Sequence, residues 1–181
     1  MERKEKMTKK KSALRLFLVM ISACLLLPVG LTACSSDEED SLSVQFHLED
    51  ENGVPKTEFK QGENIIFKLT IYNSTDASYS IKNWFSFFDE NFFRVYSFDG
   101  QDMGRSWDIR YYLDLMEYIF AHDSRTFSCP WMTDENLPPT YPLVMKEEKM
   151  QPLPVGNYYT KFDLKFNENN VIHCKQNFKI K

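Results

Sequence analysis

From Ser43 onward, apolar and polar residues alternate with a period of two rather than 3.6, a pattern that predicts strands. Val44, Phe46 and Leu48 share one face of a first strand, which ends at the turn residues Asn52-Gly53. Gln61-Gly62-Glu63 opens a second strand, with Ile65, Phe67, Leu69 and Ile71 on one face and Lys68 and Thr70 on the other. Strands also fit Tyr79 to Phe85, and Phe93 to Phe98, the latter closing at the hairpin signal Asp99-Gly100. Arg125 to Trp131 places Phe127, Cys129 and Trp131 on one face. Tyr158, Thr160, Phe162, Leu164 and Phe166 form another apolar face, as do Ile172, Cys174, Phe178 and Ile180 past a turn at 167–170, so the chain should end in a hairpin. Between Trp107 and Ala121, Ile109, Leu113, Met116 and Phe120 sit at helical spacing, which predicts one short helix in an insertion. Leu137-Pro138-Pro139-Thr140-Tyr141-Pro142 cannot join a central strand, because proline offers no donor, and is expected as a surface loop.

The segment before this region is of another kind. Seven basic residues between Arg3 and Arg15 precede an almost wholly apolar run from Leu16 to Leu27, the order of a secretory signal. The run is about a dozen residues, short of the roughly 20 that span a bilayer. Met7 could equally be the start, since a basic region follows it too. Leu31-Thr32-Ala33-Cys34 resembles the lipobox of bacterial lipoproteins. That resemblance implies removal of residues 1–33, lipidation of Cys34 and anchoring through acyl chains, each buried methylene contributing about 0.8 kcal/mol. Residues 34–42 then form a tether carrying Asp37, Glu38, Glu39 and Asp40. The acidic run reads either as a solvated spacer or as an export signal. It is similar to the signal that sends lipoproteins of some gram-negative gut anaerobes to the outer face of the outer membrane. Asp40-Ser41-Leu42 resembles an O-glycosylation acceptor of such bacteria, with Ser41 as the modified residue.

Processing changes the charge balance. The whole chain carries 22 basic and 26 acidic residues, but the leader holds seven of the bases and two of the acids. The mature 148 residues are therefore net −9, which argues against nucleic acid or an anionic membrane face as partner. Twenty-six aromatic residues remain after processing, enough for a sizeable core in one domain, residues 43–181. The strand pattern describes an all-β fold, an immunoglobulin-like antiparallel β-sandwich of about seven strands. Phe59-Lys60-Gln61-Gly62-Glu63, Val95 to Gly100 with Gly104 and Trp107, and Pro152-Leu153-Pro154-Val155-Gly156-Asn157-Tyr158 together resemble the bacterial intracellular proteinase inhibitor family. The resemblance covers most of Glu58 to Phe166 and implies the same sandwich. It lies in turns and aromatics rather than in a reactive-site motif.

Candidate chemistry is sparse. With Cys24 lost and Cys34 lipidated, Cys129 and Cys174 remain, either a disulfide of an exported domain or two buried thiols. A bridge would close a loop of more than forty residues, for which chain entropy gives about 4 kcal/mol. His47, His122 and His173 lack a recurrent ligand spacing, so no metal and no cofactor are expected, and His47 and His173 should face solvent. There is no nucleophile elbow or phosphate-cradling loop, and nothing singles out Ser106 as a nucleophile, so an enzyme is not expected. The densest feature is Trp84 to Phe93, six aromatics in ten residues, of which strict alternation buries about half on one face. The remainder either fill the sandwich or form a ligand platform of Trp84, Phe85, Phe87 and Phe88, extended by Tyr111 and Tyr112.

These features point to a lipid-anchored cell-surface module that binds a glycan or an envelope protein. Two alternatives stand beside it. One is a protease inhibitor or regulator, suggested by the family resemblance, using the loops Met132 to Met145 and Asp99 to Trp107. The other is a structural accessory subunit of an envelope complex.

Overall fold

The computed structural model describes residues 42–81, 88–109, 117–166 and 171–181. They contain twelve strands: β1 (Leu42–Glu49), β2 (Glu58–Phe59), β3 (Ile66–Asn73), β4 (Tyr79–Ile81), β5 (Val95–Ser97), β6 (Asp102–Gly104), β7 (Trp107–Ile109), β8 (Glu117–Ile119), β9 (Ser124–Pro130), β10 (Leu143–Met145), β11 (Gly156–Lys165) and β12 (Val171–Ile180). The chain is all-β, and no helix occurs among the described residues. Trp107 to Ala121 is therefore not one helix: its two ends are the strands β7 and β8, and residues 110–116 between them lie outside the described residues. Of the four residues at helical spacing, Ile109 ends β7 and Phe120 follows β8, while Leu113 and Met116 lie outside the described residues.

Two sheets form the sandwich, one ordered β1-β3-β9 and the other β2-β12-β11-β5-β6. All pairs are antiparallel except β2 with β12. The chain crosses between the sheets in an immunoglobulin-like order, with β1, β3 and β9 in one and the β11–β12 hairpin at the centre of the other. Two small ribbons, β4-β8 and β7-β10, bring the strand count above seven. The additional strands are two or three residues long, too short to carry a period-two signature.

The core lies between the two sheets. Phe46 of β1 meets Phe162 of β11 edge to face at 4.9 Å, and Phe67 of β3 stacks on Phe93 at 5.4 Å. Phe92 stacks on Phe93 at 3.9 Å and also meets Phe162 and Trp107. Full burial of each such ring contributes roughly 1.5–3 kcal/mol. The indole N–H of buried Trp107 donates to the Phe92 carbonyl at 2.6 Å, which satisfies its one polar atom. At the start of β11, the Tyr158 hydroxyl donates back to the Pro154 carbonyl at 2.8 Å, the tyrosine corner found in such sandwiches.

Gly100 holds a φ of 89° in the β5–β6 hairpin, where a side chain would be strained.

Cys129 and Cys174 are buried thiols, not a disulfide. Sheet order gives the reason. β1 packs beside β12, whereas β9 lies two strands away from β1 in the opposing sheet. At about 4.8 Å per strand laterally and about 10 Å between sheets, the two sites are far beyond the reach of a bridge, which needs Cα atoms within about 7 Å. Facing inward is necessary for bridging but does not bring two strands together.

Candidate functional site

The inward faces of β11 and β12 dictate what stands outside. Because Tyr158, Thr160, Phe162 and Leu164 are buried, Asn157, Tyr159, Lys161 and Asp163 point away from the core. On β12 the same alternation buries Ile172, Cys174, Gln176 and Phe178 and leaves His173, Lys175, Asn177 and Lys179 exposed. On β5, Val95 is buried and Tyr96 faces outward, half-buried.

Register then assembles these residues. Tyr159 lies opposite Tyr96 on one side and Asn177 on the other, and Lys161 lies opposite Lys175. The Tyr96 and Tyr159 rings stack with centroids 5.3 Å apart and planes 18° from parallel. Lys175 and Lys161 place their ammonium groups 5.3 Å and 6.0 Å from the Tyr159 ring centre, cation–π contacts at an exposed site. The Tyr96 hydroxyl donates to Asn91 Oδ1 at 2.8 Å. Burial, the largest influence, raises the Tyr96 pKa above the usual phenol value, so the group stays a neutral donor at physiological pH.

Charged pairs frame the tyrosines. Arg94 grips Asp102 through Nε at 3.0 Å and Nη2 at 2.7 Å. The hydrogen bond to Arg94 holds the Asp102 carboxyl below its ordinary value. Asp163 and His173 pair at 2.7 Å, and Lys181 pairs with Glu58. Beside Tyr159 the face dips into a cleft of about 320 Å³, rimmed by Asn157, Asn177, Lys179, Glu58, Thr57 and Phe98. Phe98 is 82% exposed, the most exposed large apolar side chain among the described residues.

A second exposed aromatic pair, Tyr118 and Phe120, stacks at 6.4 Å on and just after β8. It lies near His122, which has a φ of 57° and pairs with Asp76 at 2.9 Å. No lysine or arginine forms a cation–π contact with these two rings among the described residues.

The site expected from sequence is placed differently. Phe88 is not on a platform: it is 3% exposed and packs against Phe92 at 4.3 Å and Phe127 at 5.0 Å. Phe92 and Phe93 are wholly buried with it, so this end of the aromatic run fills the sandwich. Trp84, Phe85, Phe87, Tyr111 and Tyr112 lie outside the described residues, as do Cys34, Asp37, Glu38, Glu39, Asp40 and Ser41. His173 is exposed as expected, but His47 is not. Its side chain is 13% exposed and meets Glu49 at 2.7 Å, and Glu49 in turn accepts from Lys68 at 3.0 Å. Ser106 is fully buried with its hydroxyl 3.4 Å from the Cys129 sulfur, out of reach of any substrate. Among the described residues, no three His, Cys, Asp or Glu side chains converge as metal ligands would.

Tyr96 and Tyr159 were missed because each follows an inward residue in a strand read only for its buried face. The signal was present: an aromatic at a polar-phase position in each of two strands.

No protein-family model matches the chain, and no curated protein matches it.

Proposed function

We propose that this protein is a lipid-anchored binding module on the outer face of a bacterial outer membrane, held by Cys34, and that it takes a glycan on the open face of its five-stranded sheet. The stacked Tyr96–Tyr159 pair carries this reading. A sugar ring presents an apolar C–H face that lies against aromatic rings, and its hydroxyls need donors and acceptors close by. Asn157 and Asn177 supply amide groups beside Tyr159, and the adjoining cleft with Phe98 extends the contact along a polymer. The lipobox resemblance of Leu31 to Cys34 and the acidic tether support the placement at the surface.

The test is a glycan array probed with the protein and with Tyr159→Ala. Loss of one ring contact removes about 0.5–1.5 kcal/mol, so the variant should bind roughly two- to tenfold more weakly. Its thermal transition should stay close to that of the parent, because Tyr159 stands on the surface rather than in the core. An array silent toward the parent, or binding indifferent to Tyr159, contradicts the proposal.

A further inference from the structure

Resting on that reading, we propose that the glycan is anionic, its carboxylate or sulfate groups held by Lys161 and Lys175 while a sugar ring lies on Tyr159.

The charge arrangement carries the inference. Lys161 and Lys175 are directly opposite across the β11–β12 ladder, where side chains begin about 5 Å apart and like charges repel. Three carboxylates of the face already have partners: Asp102 pairs with Arg94, Glu58 with Lys181, and Asp163 lies 2.7 Å from the His173 imidazole. Among the described residues, neither Lys161 nor Lys175 has an ion-pair partner, and both lean on the Tyr159 ring. Two ammonium groups without an ion-pair partner therefore gather over one tyrosine ring, with Lys179 further along the same strand at the cleft. This local concentration stands against a mature chain of net −9, so it is a property of the face and not of the whole surface.

A pyranose that takes the place of the two ammonium groups on the Tyr159 ring leaves them at its edge, beside its substituents. A carboxylate or sulfate there relieves the lysine–lysine repulsion on binding, whereas a neutral substituent leaves it in place. An acidic peptide would satisfy the charge but offers no flat C–H face for the tyrosine pair, which favours the sugar.

The test uses the full chain in neutral detergent with two pairs of polymers that differ mainly in charge: polygalacturonate against its methyl ester, and dextran sulfate against dextran. The anionic member of at least one pair should bind about tenfold or more tighter than its neutral partner. The preference should fall in Lys161→Gln/Lys175→Gln and weaken toward about 1 M salt, where screening acts within about 3 Å. Carboxylate and sulfate are separated by which pair responds. Equal binding of charged and neutral members, or a preference that survives the double substitution, overturns the anionic assignment and leaves the glycan-binding reading standing. If an array of neutral and charged glycans is silent as well, both fall. A poly-glutamate control that competes as strongly as the polysaccharide also overturns the sugar assignment.

Discussion

Phe93 holds a φ of 51° with its ring fully buried between Phe92 and Phe67. A left-handed backbone costs a residue with a side chain about 1–2 kcal/mol, and here the ring's packing offsets it. Thr160 is a different case: it is wholly buried, and its hydroxyl has no hydrogen-bond partner among the described residues. An unsatisfied buried polar group costs about 1–3 kcal/mol, so Thr160→Val, similar in shape, should raise stability by about 1 kcal/mol or more in denaturant unfolding. A destabilised variant would show that the hydroxyl is satisfied after all. Cys129 makes the third residue-scale prediction. Burial pushes its thiol up to about 12, so at neutral pH it is neither a nucleophile nor a ready partner for exchange. Alkylation followed by mass analysis should leave Cys129 unmodified in the native protein and label it fully once unfolded. Rapid labelling in the native state would contradict its burial.

Among the elements, the long strands were legible and the short ones were not. β1, β3, β9, β11 and β12 run for seven to ten residues, long enough for alternation to declare both the strand and its inner face. β6, β7, β8 and β10 have three residues each and exist because a neighbouring backbone edge accepts them, which no local pattern records. The β5–β6 hairpin was signalled by Asp99-Gly100, and the Arg94–Asp102 pair clamps its base. Asp102 has its folded pKa depressed, chiefly by the hydrogen bond from Arg94. Its contribution is therefore present above the unfolded value near 3.8 and lost as pH falls through the lower folded value. The thermal transition of Asp102→Asn should lie below that of the parent at neutral pH and converge with it in acid. The gap should be under about 1 kcal/mol, because the pair is partly exposed and screened. A gap that persists unchanged at low pH would show that the carboxylate's charge is not the cause.

At the scale of the whole molecule, what the sequence hid was which strands lie beside one another. The inward phase of Cys129 and Cys174 is plain from alternation, but only the sheet order shows that β9 and β12 are too far apart to bridge. The same holds for the site. Tyr96 and Tyr159 become one surface through the β5–β11 register, which joins positions more than sixty residues apart. The conspicuous run from Trp84 to Phe93 drew attention instead, and its described members Phe88, Phe92 and Phe93 form core. On the proposed function, the open face of the five-stranded sheet is the contact surface. Amide chemical-shift mapping during titration with the array's strongest glycan tests it most directly. The largest changes should fall at Tyr96, Tyr159, Lys161, Lys175, Asn157 and Asn177. Changes centred on Tyr118, Phe120 and His122, or no changes at saturating glycan, would contradict it.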